Sequence, residues 1–240
     1  MKYLRLVIAA ILISSTTLAQ QTANLAKSSV YEVRNVKKPG KIDGNWDKPQ
    51  WKKAKVLEIN NFIREQPLFR PVVQAKMMYD DENLYVIFRV QDQFIRSITK
   101  DINGPVWKDS AVEFFFSPDT SSSQYFNLEV NCGGTPLLGF KAKKPEIDDI
   151  KKIEIAHSLP QIVDPEITEK KVWTIEYKIP FDMLEKYSKI VRPKRGVNWK
   201  ANFYKIAEIN SNPHHASWSV ISHPKPTFHL PQYFGTLKFQ

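Results

Sequence analysis

Val73, Ala75, Met77 and Tyr79 alternate with Gln74, Lys76 and Met78, the period-two pattern of a strand with one buried face. The turn cluster Asp80-Asp81-Glu82-Asn83 follows, and a second extended run goes from Leu84 to Val90; together they predict a hairpin. Ala111 to Phe116 reads as another strand, stopped at Ser117-Pro118-Asp119 because proline has no N–H to continue a ladder. Tyr125 to Val130 sets Phe126, Leu128 and Val130 against Tyr125, Asn127 and Glu129, and ends in the turn-rich Asn131-Cys132-Gly133-Gly134. Val172 to Ile179 places Trp173, Ile175, Tyr177 and Ile179 on one face. Asn198 to Ala207 does the same with Trp199, Ala201 and Phe203, and Gly235 to Phe239 closes the sheet. Only Phe181 to Tyr187 reads as a helix. Many half-buried strands with no βα alternation predict an all-β fold. The expected form is a single antiparallel β-sandwich of two packed sheets, jelly-roll or immunoglobulin-like, with one short helix.

Composition agrees with a packed core. The 240 residues are 42% hydrophobic and 12% aromatic, too apolar for a disordered chain. The single cysteine, Cys132, rules out an internal disulfide framework and a Cys-rich zinc site. Lys2 and Arg5 precede the apolar run Leu6 to Ile13, then polar Ser14 to Thr17 and small Ala19. That order predicts a secretory signal peptide over 1–19, since the run is far short of the ~20 residues of a membrane span. Residues 20–29 then form a flexible leader and 30–240 one domain, in a secreted or periplasmic protein.

The formal charge of +10 invites a nucleic-acid reading. Of the 35 basic residues, Lys2 and Arg5 of the expected signal peptide leave 33 against 25 acidic, a charge of +8. The rest are scattered, with short clusters such as Lys37-Lys38 and Lys143-Lys144 rather than a basic tract, so neither nucleic acid nor a membrane span is expected.

Enzyme motifs are scarce. The chain has no G-x-S-x-G elbow, phosphate loop, G-x-G-x-x-G or H-E-x-x-H. Cys132, in a turn-rich setting, is expected to be a bland buried thiol. His214, His215, His223 and His229 could together hold a metal or haem, but prolines break the stretch into loops and adjacent histidines on an extended chain diverge. The stronger constellation is Pro105 to Phe116. Trp107 stands in a polar loop just before a strand, where it is either a rim aromatic or a plug under the loop. If Val112, Phe114 and Phe116 point to the core, Glu113 shares the opposite face with Ala111 and Phe115. An aromatic ring beside a strand carboxylate suits a sugar, whose C–H face stacks and whose hydroxyls pair with the carboxylate. The alternatives for Glu113 are a solvated residue and a structural acceptor.

Several segments in order resemble family 9 carbohydrate-binding modules. Ile42-Asp43-Gly44 with Trp46 and Trp51 is similar to the opening I-D-G…W, and Tyr79 to Val86 to a D-x-x-x-L-Y-V segment. Trp107 to Phe116 resembles W-x-x-D-S-V-E-x-F with a one-residue shift, and Ser217-Trp218-Ser219, Pro231 and Phe234-Gly235-Thr236-Leu237 resemble the closing region. The resemblance covers about residues 40 to 239. It implies a β-sandwich that grips a sugar ring, often at a chain end, between two aromatics. Trp107 matches the first aromatic, and Phe228 falls where the family has a tryptophan. Glu113 matches a hydrogen-bonding carboxylate, while Glu129 stands where the resemblance suggests a basic contact residue. Asn202 and Asn212 are candidates for amide contacts. The resemblance also suggests structural calcium near Asp80, Asp81 and Asp92, although their turn-rich setting suits plain solvated carboxylates, and no cofactor or metal is expected.

The leading expectation is therefore non-catalytic binding of an oligo- or polysaccharide, with glycan-degrading enzymes as partners. The alternatives are a glycosidase or lyase using Glu113 and Glu129, a haem- or metal-binding sandwich, and an assembly module that has lost sugar binding.

Overall fold

The computed structural model describes residues 29–64, 66–121, 124–140, 144–225 and 227–240. The expected signal peptide and all of the leader except Ser29 lie outside the described residues. Alternating segments become strands throughout. In chain order they are β1 (Val30–Asn35), β2 (Leu57–Glu58), β3 (Asn61–Ile63), β4 (Val72–Tyr79), β5 (Asn83–Asp92), β6 (Ile95–Ser97), β7 (Ala111–Ser117) and β8 (Phe126–Asn131). They continue as β9 (Pro136–Phe140), β10 (Glu154–His157), β11 (Val163–Ile167), β12 (Lys171–Pro180), β13 (Asn198–Ala207), β14 (His214–Ser217) and β15 (Gly235–Phe239).

The strand order is β10-β12-β5-β4-β1-β15-β13-β7-β8-β9, with β14 on β13, β3 on β14 and β2 on β4. Strands β6 and β11 form a separate pair. The expected hairpin is β4–β5, in register from Val72↔Gln91 to Tyr79↔Leu84. Two expectations are corrected. The pairing is not antiparallel throughout, because β1 runs parallel to both of its neighbours. Its first part, Val30 to Val33, pairs with Thr236 to Phe239, and Arg34 and Asn35 pair with Met78 and Tyr79. One strand thus joins the two halves of the path, which period-two alternation cannot reveal because it fixes side-chain faces and not partners. There are also three short helices among the described residues, not one. These are α1 (Pro49–Lys52), α2 (Ile147–Ile150) and α3 (Phe181–Glu185). Only α3 was legible as a helix, since four residues make barely one turn and carry no periodicity.

The main core draws side chains from both halves of the path. Phe88 of β5 meets Phe203 of β13 at a ring separation of 6.0 Å, and Tyr79 of β4 meets Phe239 of β15 at 5.1 Å. On β7 the inward residues are Val112, Phe114 and Phe116; Phe114 stacks on Phe203 at 4.7 Å. Ala111 and Phe115 turn to the opposite side and join a second cluster with Tyr204, Ile206, Phe228 and Phe234.

The Ile42 to Trp51 segment is docked by a buried carboxylate. Glu176 of β12 accepts from the backbone N–H groups of Asp43 (3.0 Å) and Gly44 (2.7 Å), from Trp51 Nε1 (2.9 Å) and from Lys48 Nζ (2.7 Å). Gly44 sits at φ +75°, a left-handed conformation that glycine adopts without steric cost. Trp46 lies under the Lys76 ammonium, 4.1 Å from ring centroid to nitrogen. The tryptophans of this motif therefore serve packing.

Candidate functional site

Strands β13, β7, β8 and β9 are consecutive neighbours, so their outward residues form a continuous surface. Directly opposed pairs set the floor. Tyr204 faces Glu113, Glu113 faces Glu129, and Glu129 faces Leu137. Above this surface lies a cleft of 490 Å3, within the ~300–1,000 Å3 of small-ligand sites. Glu113, Phe115, Asn127, Glu129, Leu137, Gly139 and Ile206 contribute from the strands. Trp107, Tyr125, Phe228 and His229 bring aromatic rings, and Arg64, Lys144, Glu208 and His215 bring charge or titratable groups. Gly139 is needed where it is, because a Cβ there would lie 2.2 Å from Asn127 Oδ1.

Trp107 is held by the residues that follow it. It is half-buried on a 3-10 turn, Val106–Lys108, between buried Val106 and buried Asp109. Asp109 accepts from the N–H groups of Ile98 (3.1 Å) and Thr99 (2.9 Å) and from Asn131 Nδ2 (2.9 Å). Ser110 Oγ accepts from Arg96 N–H at 3.2 Å. The Asp-Ser pair of the motif thus anchors the turn that presents Trp107.

Phe228 lies on the far loop. Its ring stacks on Tyr204 at 4.1 Å and 15°, and Tyr204 Oη donates to Phe228 O at 3.1 Å. With 6% exposure, it presents little free surface. The neighbouring His229 pairs through Nδ1 with Tyr125 Oη at 2.8 Å, and burial lowers its pKa. Phe115 and Tyr125 stack at 5.9 Å, extending the aromatic lining.

The two carboxyls at the floor are unusual. Glu113 is 2% exposed and Glu129 5%, and their residues are directly paired across β7 and β8. Burial, and then the neighbouring Glu129 and Glu208, push Glu113 well above the ordinary carboxyl range. Burial raises Glu129 to about 7, against the opposing effects of the Asn127 hydrogen bond and Lys144. Asn127 Nδ2 donates to Glu129 Oε1 at 3.1 Å, while Glu129 Oε2 has no hydrogen-bond partner. At the cleft edge, His215 Nε2 stands 3.4 Å from Glu208 Oε1.

The structure brings Trp107, Phe228, Glu113 and Glu129 to one cleft, with His215 and His229 at its edge, and leaves Asn202, Asn212, Asp80, Asp81, Asp92, His214 and His223 outside it. Asn202 is fully buried; its Oδ1 accepts from Phe203 and Ser219 N–H, and its Nδ2 donates to Ser219 O. Asn212 clips Phe69 through the backbone N–H (3.1 Å) and C=O (2.8 Å). Both amides are therefore structural in this arrangement rather than turned to the cleft. Asp80 closes its own turn, accepting from Glu82 and Asn83 N–H and from Tyr85 Oη. Asp81 is exposed, and Asp92 is buried at the other end of β5, 3.2 Å from Lys205 Nζ. The three do not converge, and no group of three or more metal-ligating acidic, histidine or cysteine side chains occurs among the described residues. His214 is tied to Lys205 Nζ (2.9 Å) and Asn212 O (2.7 Å), while His223 bonds Lys225 locally. Cys132 is buried, and burial pushes its thiol up to about 12.

Sequence reasoning did not single out Arg64, Tyr125, Leu137, Gly139, Lys144 or Glu208. Tyr125 and Asn127 were readable as sharing the face of Glu129. The residues from β9 and the loops carried no such signal, since only the tertiary fold brings them alongside.

An aromatic-rimmed, carboxylate-floored cleft on an all-β scaffold defines a small-ligand binding protein in outline. The model of carbohydrate-binding family 9 matches residues 46–239, and the chain belongs to that family. It is similar to a candidate carbohydrate-binding protein from Bacteroides uniformis, at 25% identity and a TM-score of 0.79, covering 89% of this chain and 100% of that one. It also matches a family 9 module from Caldicellulosiruptor kristjanssonii. The complex of that module with cellotriose gives 17% identity and a TM-score of 0.63, covering 88% of this chain and 94% of that one. The complex with glucose gives 17% identity and 0.62, covering 88% and 96%. A comparison with curated protein sequences finds no match.

Proposed function

We propose that this protein binds carbohydrate without cleaving it, placing a sugar ring in the cleft between Trp107 and the Phe228 loop. The observation that carries this reading is the conjunction of Trp107, Phe228, Glu113 and Glu129 around one cleft. Rings offer an apolar stacking face, and the carboxyls offer acceptors for hydroxyls. Family membership and the glucose and cellotriose complexes of the Caldicellulosiruptor module support it. With most of Phe228 covered by Tyr204, Trp107 supplies the larger stacking surface. The two halves of the strand path form the layers of a sandwich in this reading. Contact between Phe88 and Phe203 favours it, because β5 and β13 are separated in the strand order by three strands. The protein acts after export, in the periplasm or outside the cell, beside glycan-degrading enzymes.

Calorimetric titration of wild type and Trp107→Ala with short glucans, xylans and amino-sugar oligomers tests the assignment. Binding by wild type should be lost or weakened by about tenfold or more in the variant, as for an aromatic hot spot. Equal binding by both, or none by wild type, would refute it. Side-by-side carboxyls at Glu113 and Glu129 also fit a retaining hydrolase, which needs its pair ~5–5.5 Å apart. The same glycans should remain intact on prolonged incubation; turnover that vanishes in Glu113→Gln would replace binding by hydrolysis.

A further inference from the structure

A floor of two buried carboxyls is a costly way to hold a neutral ring. Glu113 and Glu129 oppose each other directly on the cleft side of β7 and β8. Like charges in that position repel, and a buried charge needs a partner. Among the described residues, neither carboxyl forms an ion pair within 4 Å. The cations whose fields reach them are engaged elsewhere, with Lys205 Nζ 3.2 Å from Asp92 Oδ2 and donating to Ile206 O at 3.0 Å, and Lys144 Nζ donating to Asn103 O at 2.6 Å. Glu129 Oε2 is buried at the cleft floor without any hydrogen-bond partner. An acceptor left in this state is destabilising, so the floor is complementary to a donor that none of the described residues supplies.

We propose that the floor is an ammonium subsite, and that the saccharide taken by the cleft is an amino sugar with a free amine; this rests on the saccharide reading above. An ammonium has three donors and no acceptor. It can meet Glu129 Oε2 and the Glu113 carboxyl together while its ring lies against the aromatic rim. Charge also balances. Two opposed carboxyls that share one proton carry one negative charge, which one ammonium neutralises. A hydroxyl satisfies the acceptor but leaves the charge, an N-acetyl group has one donor and no charge, and a uronate adds a further negative charge to the floor. Burial holds protons on the empty floor, raising Glu129 to about 7 and Glu113 well above the ordinary carboxyl range. Arrival of an ammonium should therefore expel a proton. Glu208, Arg64, Lys144, His215, His229 and Tyr125 are the other charged or titratable groups lining the cleft, and Lys205 acts on Glu113 from the neighbouring strand; their field is common to all the ligands compared below.

Three disaccharides that differ only at carbon 2 separate the possibilities. These are the β-1,4 dimers of glucose, of glucosamine and of N-acetylglucosamine, titrated calorimetrically into the full mature chain. The glucosamine dimer should bind at least about tenfold tighter than the glucose dimer, the advantage of a charge-assisted contact, and the acetylated dimer should gain nothing. Repeating the titration near pH 6, where the amine is already protonated and the floor still holds its protons, in buffers of different protonation enthalpy should reveal proton release for the glucosamine dimer alone. In Glu129→Gln, which preserves shape and removes charge, the glucosamine-to-glucose affinity ratio should fall to about one. Equal or tighter binding of the glucose or acetylated dimer, an unchanged ratio in Glu129→Gln, or no proton release would overturn the ammonium subsite and leave the saccharide reading standing. Failure of all three dimers to bind, and of longer neutral glucans too, would remove both.

Discussion

Asp109 ties the stability of the fold to the presentation of Trp107, and replacing it by alanine separates the two consequences. Its carboxylate is 1% exposed and accepts three hydrogen bonds, from Ile98 N–H at 3.1 Å, Thr99 N–H at 2.9 Å and Asn131 Nδ2 at 2.9 Å. No cation pairs with it in an ion pair among the described residues, so removal leaves three orphaned donors and no orphaned charge. Each buried donor without an acceptor costs about 1–3 kcal/mol. Entry of a water into the space left by the side chain recovers part of that, for a net loss of about 3–5 kcal/mol. For a domain of this size each kcal/mol lowers Tm by about 2–4 °C, so calorimetry should show a fall of about 6–20 °C. Asp109→Asn keeps one acceptor oxygen but turns an amide toward the donors, and it should fall between wild type and alanine. Saccharide titration at a temperature where both proteins remain folded should also show weaker binding by Asp109→Ala, because the 3-10 turn carrying Trp107 ends at this residue. A Tm within about 2 °C of wild type would refute the hydrogen-bond accounting. A large Tm loss with full affinity would show that Trp107 is placed by other contacts.

The remaining predictions concern the carboxyls and the floor. Glu129 is raised in the folded state, from 4.5 to about 7, so the folded protein binds more protons than the unfolded one across that interval. Stability therefore falls as pH rises from about 4.5 to 7, by on the order of 3 kcal/mol from this group. Denaturant titrations of Glu129→Gln should lack that component, and a wild-type-minus-variant difference that stays flat with pH would contradict it. Lys48→Met removes the buried ammonium that faces Glu176 at 2.7 Å and should cost about 3–5 kcal/mol in chemical denaturation, as expected for an uncompensated buried charge. A loss below 1 kcal/mol would mean that the backbone N–H groups and Trp51 hold the carboxylate by themselves. Gly139→Ala drives a methyl to 2.2 Å from Asn127 Oδ1, so Asn127 must release Glu129. Stability should drop by about 1–3 kcal/mol together with saccharide affinity, and an unaltered affinity would show that Asn127 does not position the floor.

Much of the fold was legible because a strand with one buried face writes its period into the chain. The β4–β5 hairpin, β7 and β13 follow from alternation, and the outward placement of Glu113 with Phe115 follows from Phe114 and Phe116 facing the core. Strands of two or three residues, such as β2 and β3, are too short to show a period, and α1 and α2 are single turns. The motif residues were visible, but their work was not. Asp109 bonds backbone groups remote in the chain, and Asn202 and Asn212 do likewise. An amide that would serve a ligand and one that clips a loop look identical in one dimension.

What the amino-acid order alone determined was which residues turn inward, that the chain is all β, and that its motifs resemble family 9 carbohydrate-binding modules. Tertiary structure decided everything that depends on partners. It chose the parallel seating of β1 between β15 and β4, and brought Arg64, Lys144 and Glu208 to the same cleft as Trp107. It also set Glu113 opposite Glu129, which alternation along either strand leaves open because register is a property of two strands and not of one. That one registration turns two unremarkable glutamates into a proton-holding floor, since burial and proximity exist only once the strands have met.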